Sequence, residues 1–405
     1  MSGFFAGSNL LLIVIDALRP DHLGCYGYQR ETSPEIDKIA EEGIKFDRVI
    51  SQSSWTKPSM ASLLTSTYPE VHGVKKIEDI LSYQETFLPK ILRDHGYITG
   101  CIQTNPFLAS DSGFNVGFDY YVELFDKIPG VYKPRVHEVI KIVFDWLDWF
   151  KNKKFFLYLH LLDTHNPYSP PEDFRKFGAK EPDLFDGEIR FVDYHIGLIK
   201  NYLLMKGLEK KTILIITSDH GEEFQEHGLK YHAKHLYEEV IRVPLIISSP
   251  ALITSGISIP TQVRSIDIVP TILDLLGIPN SEKHQGESLV PLIKSAFSPD
   301  RPAISQIGEG DGFGGKEIIA FNTGEYKLIW NKKEDTKELY HLPSDPQETQ
   351  NLAEQDEETS GRLQTQLKKL IYTPVEKPFQ YKTKDRKVTF DEDVLLRLRA
   401  LGYID

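Results

Sequence analysis

Uninterrupted apolar runs of strand length recur along the chain and dominate its hydrophobic pattern. Such runs are typical of strands that are buried on both faces, as in a parallel sheet covered by helices. The predicted strands are 9–15, 97–103, 155–161, 211–217 and 243–247, and the predicted helices are 32–43, 85–95, 135–150 and 267–276. Because strands alternate with helices, we expect an α/β fold with a mostly parallel central sheet flanked by helices.

The pattern changes after residue 300. Two short strands, 317–321 and 326–330, surround a turn at 322–324 and predict a small antiparallel sheet. A glycine-rich stretch at 308–315 does not join a strand to a helix, so we interpret it as a loop rather than a dinucleotide site. We therefore divide the chain into a catalytic α/β domain, 1–300, and a C-terminal part, 301–405. The C-terminal part is expected to combine the small sheet with a polar helix at 353–371 and a basic tail at 372–390, packed on the core.

The composition is that of a globular protein and narrows the choice of partners. The chain has 405 residues, with 47 Lys and Arg against 59 Asp and Glu, which gives a formal net charge of −12. This balance argues against a nucleic-acid binder that neutralises phosphates over a broad basic face. A small anionic substrate remains compatible, because a metal ion or a helix terminus can hold one. Cys25 and Cys101 are too few for a disulfide scaffold or a four-thiolate zinc site.

The N-terminal residues predict neither a leader sequence nor a membrane span. They carry no basic region or small-residue cleavage pattern, and the apolar run 10–15 is too short for a bilayer. We expect no transmembrane segment and a cytoplasmic protein if the numbering is complete. A periplasmic or secreted protein that has lost its export signal would have the same sequence. A homo-oligomer is compatible with these features.

Acidic residues and histidines follow the predicted strands at the edge of the sheet where ligands bind in such folds. Asp16 ends the first strand, Asp163 follows the strand at 155–161, and Asp219 and His220 follow the strand at 211–217. An adjacent Asp–His pair can supply oxygen and nitrogen ligands to one divalent cation. A lone Asp16 would more often be a turn or capping residue, so the argument depends on the whole group.

A polar segment, 54–64, contains the candidate nucleophile. Pro58 is suited to the first position of a helix, so Thr56 is expected just before a helix N-terminus. The free N–H groups and the helix dipole favour an anion at that point. Taken alone, a threonine at this position more often only caps the helix, so the anion-binding role depends on the other site residues.

Several further segments, taken in order with these, resemble the sulfatase family of the alkaline phosphatase superfamily. The matching segments are 12–21, 23–27, 55–65, 165–168, 218–222, 226–228, 236–238, 242–244, 267–277, 338–342 and 345–348. The resemblance therefore runs over more than 300 residues and implies the alkaline phosphatase-like sheet fold and hydrolysis of an ester.

Three positions depart from the family pattern. Typical sulfatases oxidise a cysteine to formylglycine, and Thr56 occupies that position here, with Met60 at the position of the usual arginine. Ala17 follows Asp16 where the family has a second acid. The resemblance then implies one divalent ion, Mn, Zn or Ca, held by Asp16, Thr56, Asp219 and His220. Family members with a threonine nucleophile usually act on phosphate esters.

The resemblance also suggests supporting roles for six other residues. His165 would contact the ester or protonate the leaving group, and Asn105 would donate to a non-bridging oxygen, although a turn role fits Asn105 nearly as well. Lys57 would offset phosphate charge unless it is simply exposed. The remaining candidates are His232 and Lys234, near the second basic position of the family, and His227, with either a catalytic or a supporting role.

The leading hypothesis is a metal-dependent hydrolase of phosphate monoesters or diesters that forms a phosphothreonine at Thr56. A phosphothreonine can be hydrolysed by attack of water at phosphorus. A threonine sulfate would be hard to release, because threonine lacks the second hydroxyl with which hydrated formylglycine expels sulfate. Two alternatives are a sulfatase that works without formylglycine and a catalytically silent metal- or glycan-binding homologue.

Overall fold

The computed structural model describes residues 7–82, 86–125, 133–249, 256–294, 298–308 and 317–372, together with residues 395, 398 and 399. Its strands are β1 Asn9–Ile15, β2 Ile44–Ile50, β3 Ile98–Gln103, β4 Tyr120–Glu123, β5 Phe155–Leu161, β6 Thr212–Thr217, β7 Glu223–Phe224, β8 Lys230–Tyr231, β9 Arg242–Ser248, β10 Ile257–Arg264, β11 Ala303–Ile307, β12 Ile318–Asn322, β13 Tyr326–Asn331 and β14 Thr336–His341. Its helices are α1 Pro34–Glu41, α2 Thr56–Thr65, α3 Pro69–His72, α4 Leu88–Asp94, α5 Val136–Phe150, α6 Glu181–Met205, α7 Glu238–Ile241, α8 Ile268–Leu276, α9 Val290–Lys294 and α10 Glu357–Tyr372.

Within these described residues, eight strands form the central sheet in the order β10-β2-β9-β6-β1-β5-β3-β4. Only β9 runs antiparallel to its neighbours, β2 and β6, and the other pairs are parallel. The segment between β6 and β9 contains no long crossover helix, which a parallel return would need. The prediction of an α/β fold with a mostly parallel central sheet is confirmed.

Alternate residues of β1 explain why this strand is apolar throughout. Leu10, Leu12 and Val14 pack with residues of α2, α4 and α8 on one face of the sheet. Leu11 and Ile13 belong to the core on the opposite face, which includes residues of α1, α5 and α6. All seven residues of the strand are buried. Helices on both faces leave only the strand ends open for polar chemistry.

The C-terminal sheet has the antiparallel order β11-β12-β13-β14 within the described residues. The predicted turn contains Gly324, whose φ of +90° suits glycine. The sequence did not predict β11 and β14. Ile50, Val240 and Ile241 of the core pack against apolar residues of this sheet, including Ile329 and Tyr340. The small antiparallel sheet is confirmed, whereas the boundary at residue 300 stays a prediction.

Parts of other predictions fall outside the described residues. These are 309–315 of the glycine-rich loop, residue 85 of a predicted helix and 373–390 of the basic tail. The predicted helix at 353–371 corresponds to α10.

None of the described helices combines the length and the apolar character that a membrane crossing requires.

Candidate active site

Asp16 is the centre of the candidate site. It follows β1 directly, and its backbone N–H donates to Leu161 O of the neighbouring strand, which fixes it at the sheet edge. Its Oδ2 accepts a hydrogen bond from Asn105 Nδ2 at 2.8 Å and one from Thr56 Oγ1 at 3.3 Å. The side chain is fully buried. A carboxylate in such a position needs positive charge or several donors to remain ionised.

Thr56 begins α2, two residues before the start that Pro58 suggested. Its hydroxyl lies between two strand ends, 3.3 Å from Asp16 Oδ2 and 3.4 Å from His220 Nε2. It also accepts a hydrogen bond from Asn105 Nδ2 at 3.2 Å. The first turn of a helix of this length favours negative charge. The hydroxyl is therefore held among groups that can stabilise it as a nucleophile.

Asp219 and His220 follow β6 and face Asp16. Ala17 N–H donates to Asp219 Oδ1 at 3.2 Å, which links the ends of β1 and β6. His220 Nδ1 lies 2.8 Å from Gly221 O, and since a carbonyl only accepts, Nδ1 is the donor. In a neutral ring the lone pair is then on Nε2, which lies 3.5 Å from Asp219 Oδ2 and 3.7 Å from Asp16 Oδ1.

These atoms fit a divalent cation. Asp16 Oδ1 and Asp219 Oδ2 are both buried and make no hydrogen bond to the described part of the chain. His220 Nε2 lies 3.7 Å from the first and 3.5 Å from the second, and the hydroxyl of Thr56 lies 3.4 Å from this nitrogen. Oxygen and imidazole donors of this kind suit Mn²⁺ or Zn²⁺. The predicted set of Asp16, Thr56, Asp219 and His220 is brought together by the fold.

His160 is a site residue that the sequence analysis missed. It is fully buried near the end of β5, and its Nε2 lies 3.1 Å from Asp16 Oδ2. Its Nδ1 lies 2.8 Å from the hydroxyl of Tyr158. Donor atoms of Asp16, His160 and Asp219 lie close enough together to share one metal ion. The sequence signal for this residue was a histidine inside the apolar run 155–161. Its place in the site becomes clear only from the pairing of β5 with β1.

The charges of the site influence one another strongly. Burial alone would raise the pKa of Asp16, but a hydrogen bond with His160 and the nearby histidines hold it well below its usual value. Burial alone would lower the pKa of His220, yet Asp219 and Asp16 raise it. Both pKa shifts arise because the carboxylates and the neighbouring histidines stabilise each other's charged forms.

A second group of side chains lies on one side of this centre. The His232 ring is 4.3 Å from the His220 ring and 4.9 Å from the His165 ring, measured between centroids. His232 Nδ1 is 2.9 Å from Glu222 Oε1, and Tyr168 donates to Glu222 Oε2 at 2.6 Å. Burial lowers the pKa of His165 to about 4. Two of the predicted histidines, His165 and His232, are thus brought next to the metal-ligand candidates.

Other candidates have different surroundings. Lys57 Nζ donates to Ile77 O at 2.5 Å, and burial lowers the pKa of this amine to about 7. The exposed Lys234 donates to Lys230 O at 3.3 Å. His227 Nε2 lies 3.5 Å from Glu239 Oε1. The contacts of His227 and Lys234 are with groups outside the Asp16 centre.

Two polar residues of the sheet edge have structural contacts. Asn105 Oδ1 accepts from Phe107 N–H at 2.9 Å, so the amide both supports a turn and directs Nδ2 toward Asp16. Asp163 accepts from Val136 N–H at 3.0 Å and from Arg135 Nε at 2.8 Å. It therefore stabilises the N-terminus of α5.

An apolar cluster borders the site. It consists of Trp55, Phe107, Leu162, Ala233 and Leu398, all of them buried. Trp55 precedes the candidate nucleophile, and Ala233 follows His232. The cluster thus joins four loops of the sheet edge to a residue from the far C-terminal part of the chain.

Comparison with known sequences assigns the family. The model described as Sulfatase matches residues 8–278, about two thirds of the chain. A second model, described as the C-terminal part of N-sulphoglucosamine sulphohydrolase, matches residues 225–376. The chain therefore belongs to the sulfatase family of ester hydrolases, which use a divalent metal ion. The predicted resemblance is confirmed.

The individual similarities are distant but extensive. The uncharacterized sulfatase YidJ of Escherichia coli is 24% identical, with 85% of this chain and 82% of that protein aligned. The N-acetylglucosamine-6-O-sulfatase of Bacteroides thetaiotaomicron is 23% identical, with the same two shares aligned.

Among solved structures, the phosphonate monoester hydrolase of Agrobacterium radiobacter has a TM-score of 0.76 and 20% identity over 90% of this chain and 95% of that one. A protein solved with its substrate D-glucosamine-2-N,6-O-disulfate has a TM-score of 0.79 and 20% identity over 92% of this chain and 99% of that one. At these identities the structural likeness shows the shared fold.

Proposed function

We propose that this member of the sulfatase family hydrolyses phosphate esters, monoesters or diesters, with Thr56 as the nucleophile. The observation that carries the proposal is the position of the Thr56 hydroxyl at the head of α2, against Asp16 and His220. Asp16, Asp219 and His220 would hold one divalent cation together with the Thr56 oxygen. When bound, that cation would lower the pKa of the hydroxyl and polarise the ester.

The residues of the chain support a two-step displacement. The Thr56 oxygen, hydrogen-bonded to Asp16 Oδ2, attacks phosphorus as its proton is lost to solvent, and the bond from phosphorus to the leaving oxygen breaks. Protonation of that oxygen releases an alcohol and leaves a phosphothreonine. A water molecule then attacks phosphorus and loses a proton, the bond from phosphorus to Thr56 breaks, and the threonine oxygen is protonated again. The product that departs is phosphate from a monoester or a phosphate monoester from a diester. Asn105 orients both Thr56 and Asp16 through its Nδ2.

His165 is the proposed proton donor to the leaving group. Because burial lowers its pKa to about 4, the ring is neutral at pH 7 without substrate. A bound phosphate dianion would raise that pKa, since an opposite charge nearby favours the imidazolium form. His165 would therefore gain its proton as the anionic ester binds, and would lose it again to the leaving oxygen.

Phosphate is favoured over sulfate by the side chain of Thr56. Hydrated formylglycine has a second hydroxyl that expels sulfate, and threonine has none. The similar fold of a phosphonate monoester hydrolase agrees with chemistry at phosphorus on this scaffold. A sulfatase is the second candidate, because relatives such as the N-acetylglucosamine-6-O-sulfatase cleave sulfate esters.

Replacement of Thr56 by alanine tests the nucleophile. We expect turnover of nitrophenyl phosphate monoesters and diesters to fall by about a thousandfold or more, because the covalent route is removed. Ser59→Ala is a matched control, since its hydroxyl lies in the same helix and bonds to Ser53 O. Intact mass after brief exposure to substrate should show a phosphate adduct in the wild type and none in Thr56→Ala.

Three results would contradict the proposal. Full activity of Thr56→Ala would exclude the nucleophile. Turnover of nitrophenyl sulfate but of no phosphate or phosphonate ester would favour the sulfatase. A protein that binds the cation but turns over none of the substrates would agree with a catalytically silent homologue.

A further inference from the structure

A second group of metal-binding side chains lies outside the Asp16 centre. We name it the Glu239 cluster, and it consists of Glu223, His227, His235, Glu239 and Glu348. Donor atoms of Glu223, His235 and Glu239 lie within 4.8 Å of one another, and so do those of His227, Glu239 and Glu348. Glu239 belongs to both groups. The cluster joins the segment between β6 and β9 to the segment that follows β14.

Glu239 carries a buried oxygen that lacks a hydrogen bond. Its Oε1 is inaccessible and makes no hydrogen bond to any described residue, and its side chain is only 9% exposed. His227 Nε2 lies 3.5 Å away, beyond ordinary hydrogen-bond distance. Burial of an unsatisfied carboxylate oxygen is costly, so a ligand with positive charge would relieve it.

The cations near Glu239 are paired with other groups. Lys327 is fully buried and pairs with Glu348 Oε1 at 2.8 Å and with Glu238 at 3.2 Å, so one ammonium already serves two carboxylates. The nearby Arg19 pairs with Asp21 at 2.7 Å. Arg242, which lines the same cleft, donates to Asp47 O at 2.8 Å. Glu239 therefore has no Lys or Arg within ion-pair distance among the described residues.

Hydrogen bonds distinguish ligands from supporting residues within the cluster. His235 Nδ1 accepts from Tyr237 N–H at 3.4 Å, so in a neutral ring Nε2 carries the proton and faces its ion-pair partner Glu223. His235 Nε2 and Glu223 Oε2 are thus an ion pair, and neither atom makes a hydrogen bond to the described residues. His227 stacks on Tyr237 with ring centroids 3.7 Å apart, and its Nε2 faces Glu239.

We propose that the Glu239 cluster binds a divalent transition-metal cation, Mn²⁺ or Zn²⁺, through His227 Nε2, Glu239 Oε1 and Glu348 Oε1. The carboxylate of Glu348 keeps a second lone pair beside its bond to Lys327. A cleft of about 350 Å³ opens next to these groups and is lined by Arg19, Glu226 and His227, among others. Water from the cleft would complete the coordination. The ion would fasten the segment after β14 to the segment between β6 and β9.

Metal stoichiometry tests this second site independently of activity. The full chain is stripped with a chelator and titrated with MnCl₂ or ZnCl₂, and bound metal is counted after gel filtration. We expect two ions per chain in the wild type and one in Glu239→Gln or His227→Ala. Asp219→Asn should lose the other ion, and Asp219→Asn combined with Glu239→Gln should bind none. In the Glu239 variant the affinity of the second site should fall by about tenfold or more.

Glu226→Gln is the matched control, because Glu226 lines the same cleft but pairs with Arg19. It should retain two ions. Circular dichroism and urea unfolding of each variant show that it is folded. Equal numbers of ions in the wild type and in folded Glu239→Gln would overturn the proposal, as would a single ion that Asp219→Asn alone abolishes. A proton on Glu239 would then be what balances the cluster.

Discussion

The backbone carbonyl of Gly221 determines which nitrogen of the neutral His220 ring carries the proton. Because Gly221 O accepts from Nδ1, the neutral ring directs its lone pair at Asp16 and Asp219 rather than a proton. Gly221 itself permits this arrangement, since a Cβ there would come within 2.0 Å of Glu239 O. The small residue after His220 would therefore contribute to the proposed metal site without providing a ligand.

Replacement of His160 tests the residue that the sequence analysis did not identify. We expect His160→Ala to lower the affinity of the Asp16 centre for its cation by about tenfold or more, since Asp16 loses a close partner. Isothermal titration with Mn²⁺ measures the change. Tyr158→Phe, which removes only the hydroxyl beside His160 Nδ1, should have a smaller effect. An unchanged affinity in folded His160→Ala would restrict His160 to packing.

Some site residues could be predicted from the sequence and others could not, and the difference has a physical reason. Asp16, Asp219 and His220 stand at strand ends, where a polar residue after an apolar run is conspicuous. His160 lies within such a run, and its value depends on pairing with β1, where it is opposite Val14. Non-local pairing of this kind cannot be obtained from periodicity alone.

At the level of elements, α2 and α3 are joined through a buried histidine. His72 Nδ1 accepts from Val74 N–H at 3.1 Å, so its Nε2–H donates to Ser62 Oγ, 2.9 Å away. The bond from Val74 N–H requires the neutral ring, because a protonated Nδ1 cannot accept. Burial lowers the pKa of His72 to about 3, well below its ordinary value.

The stability of the fold should therefore decrease in mild acid. The folded-state pKa of His72 is lower than the unfolded-state value of about 6.5, so its contribution is complete above pH 6.5 and is lost as pH falls toward 3. From pH 6.5 to 5 the loss should be about 2 kcal/mol. Urea unfolding at several pH values measures it. His72→Gln should flatten this part of the profile, and an unchanged slope would contradict the assignment.

The contact between β3 and α5 depends on a glycine. A Cβ at Gly100 would lie 2.6 Å from the ring of Trp146. We expect Gly100→Ala to lower the free energy of unfolding by about 1–3 kcal/mol through overpacking. Gly361, in α10, has open space around its Cα, so Gly361→Ala should raise the same quantity by about 0.5–1 kcal/mol. Denaturant unfolding of both variants compares them, and equal effects would contradict this packing argument.

At the level of the whole molecule, the small sheet covers apolar surface of the α/β core. Ile50, Leu236, Val240 and Ile241 are buried against it. The predicted strands 317–321 and 326–330 were recognisable from their turn. The neighbours β11 and β14 were not, because an edge strand of a small sheet carries too short an apolar pattern to stand out.

A chain shortened to residues 1–300 tests the predicted domain boundary. We expect it to aggregate or to unfold at lower temperature than the full chain, because the apolar residues beneath the small sheet would be exposed. Light scattering and thermal unfolding measure both effects. A monomeric 1–300 chain with the thermal stability of the full protein would show that the core does not need the C-terminal part.

The position of Leu398 has a consequence for the order in which parts of the fold can form during synthesis. The apolar cluster beside Thr56 gathers residues from position 55 to position 398. A nascent chain on the ribosome can assemble the central sheet early, since N-terminal parts fold first. It cannot complete the apolar cluster beside Thr56 until residue 398 has been added. Any property of the candidate site that needs this cluster is therefore acquired only after the central sheet can already have formed.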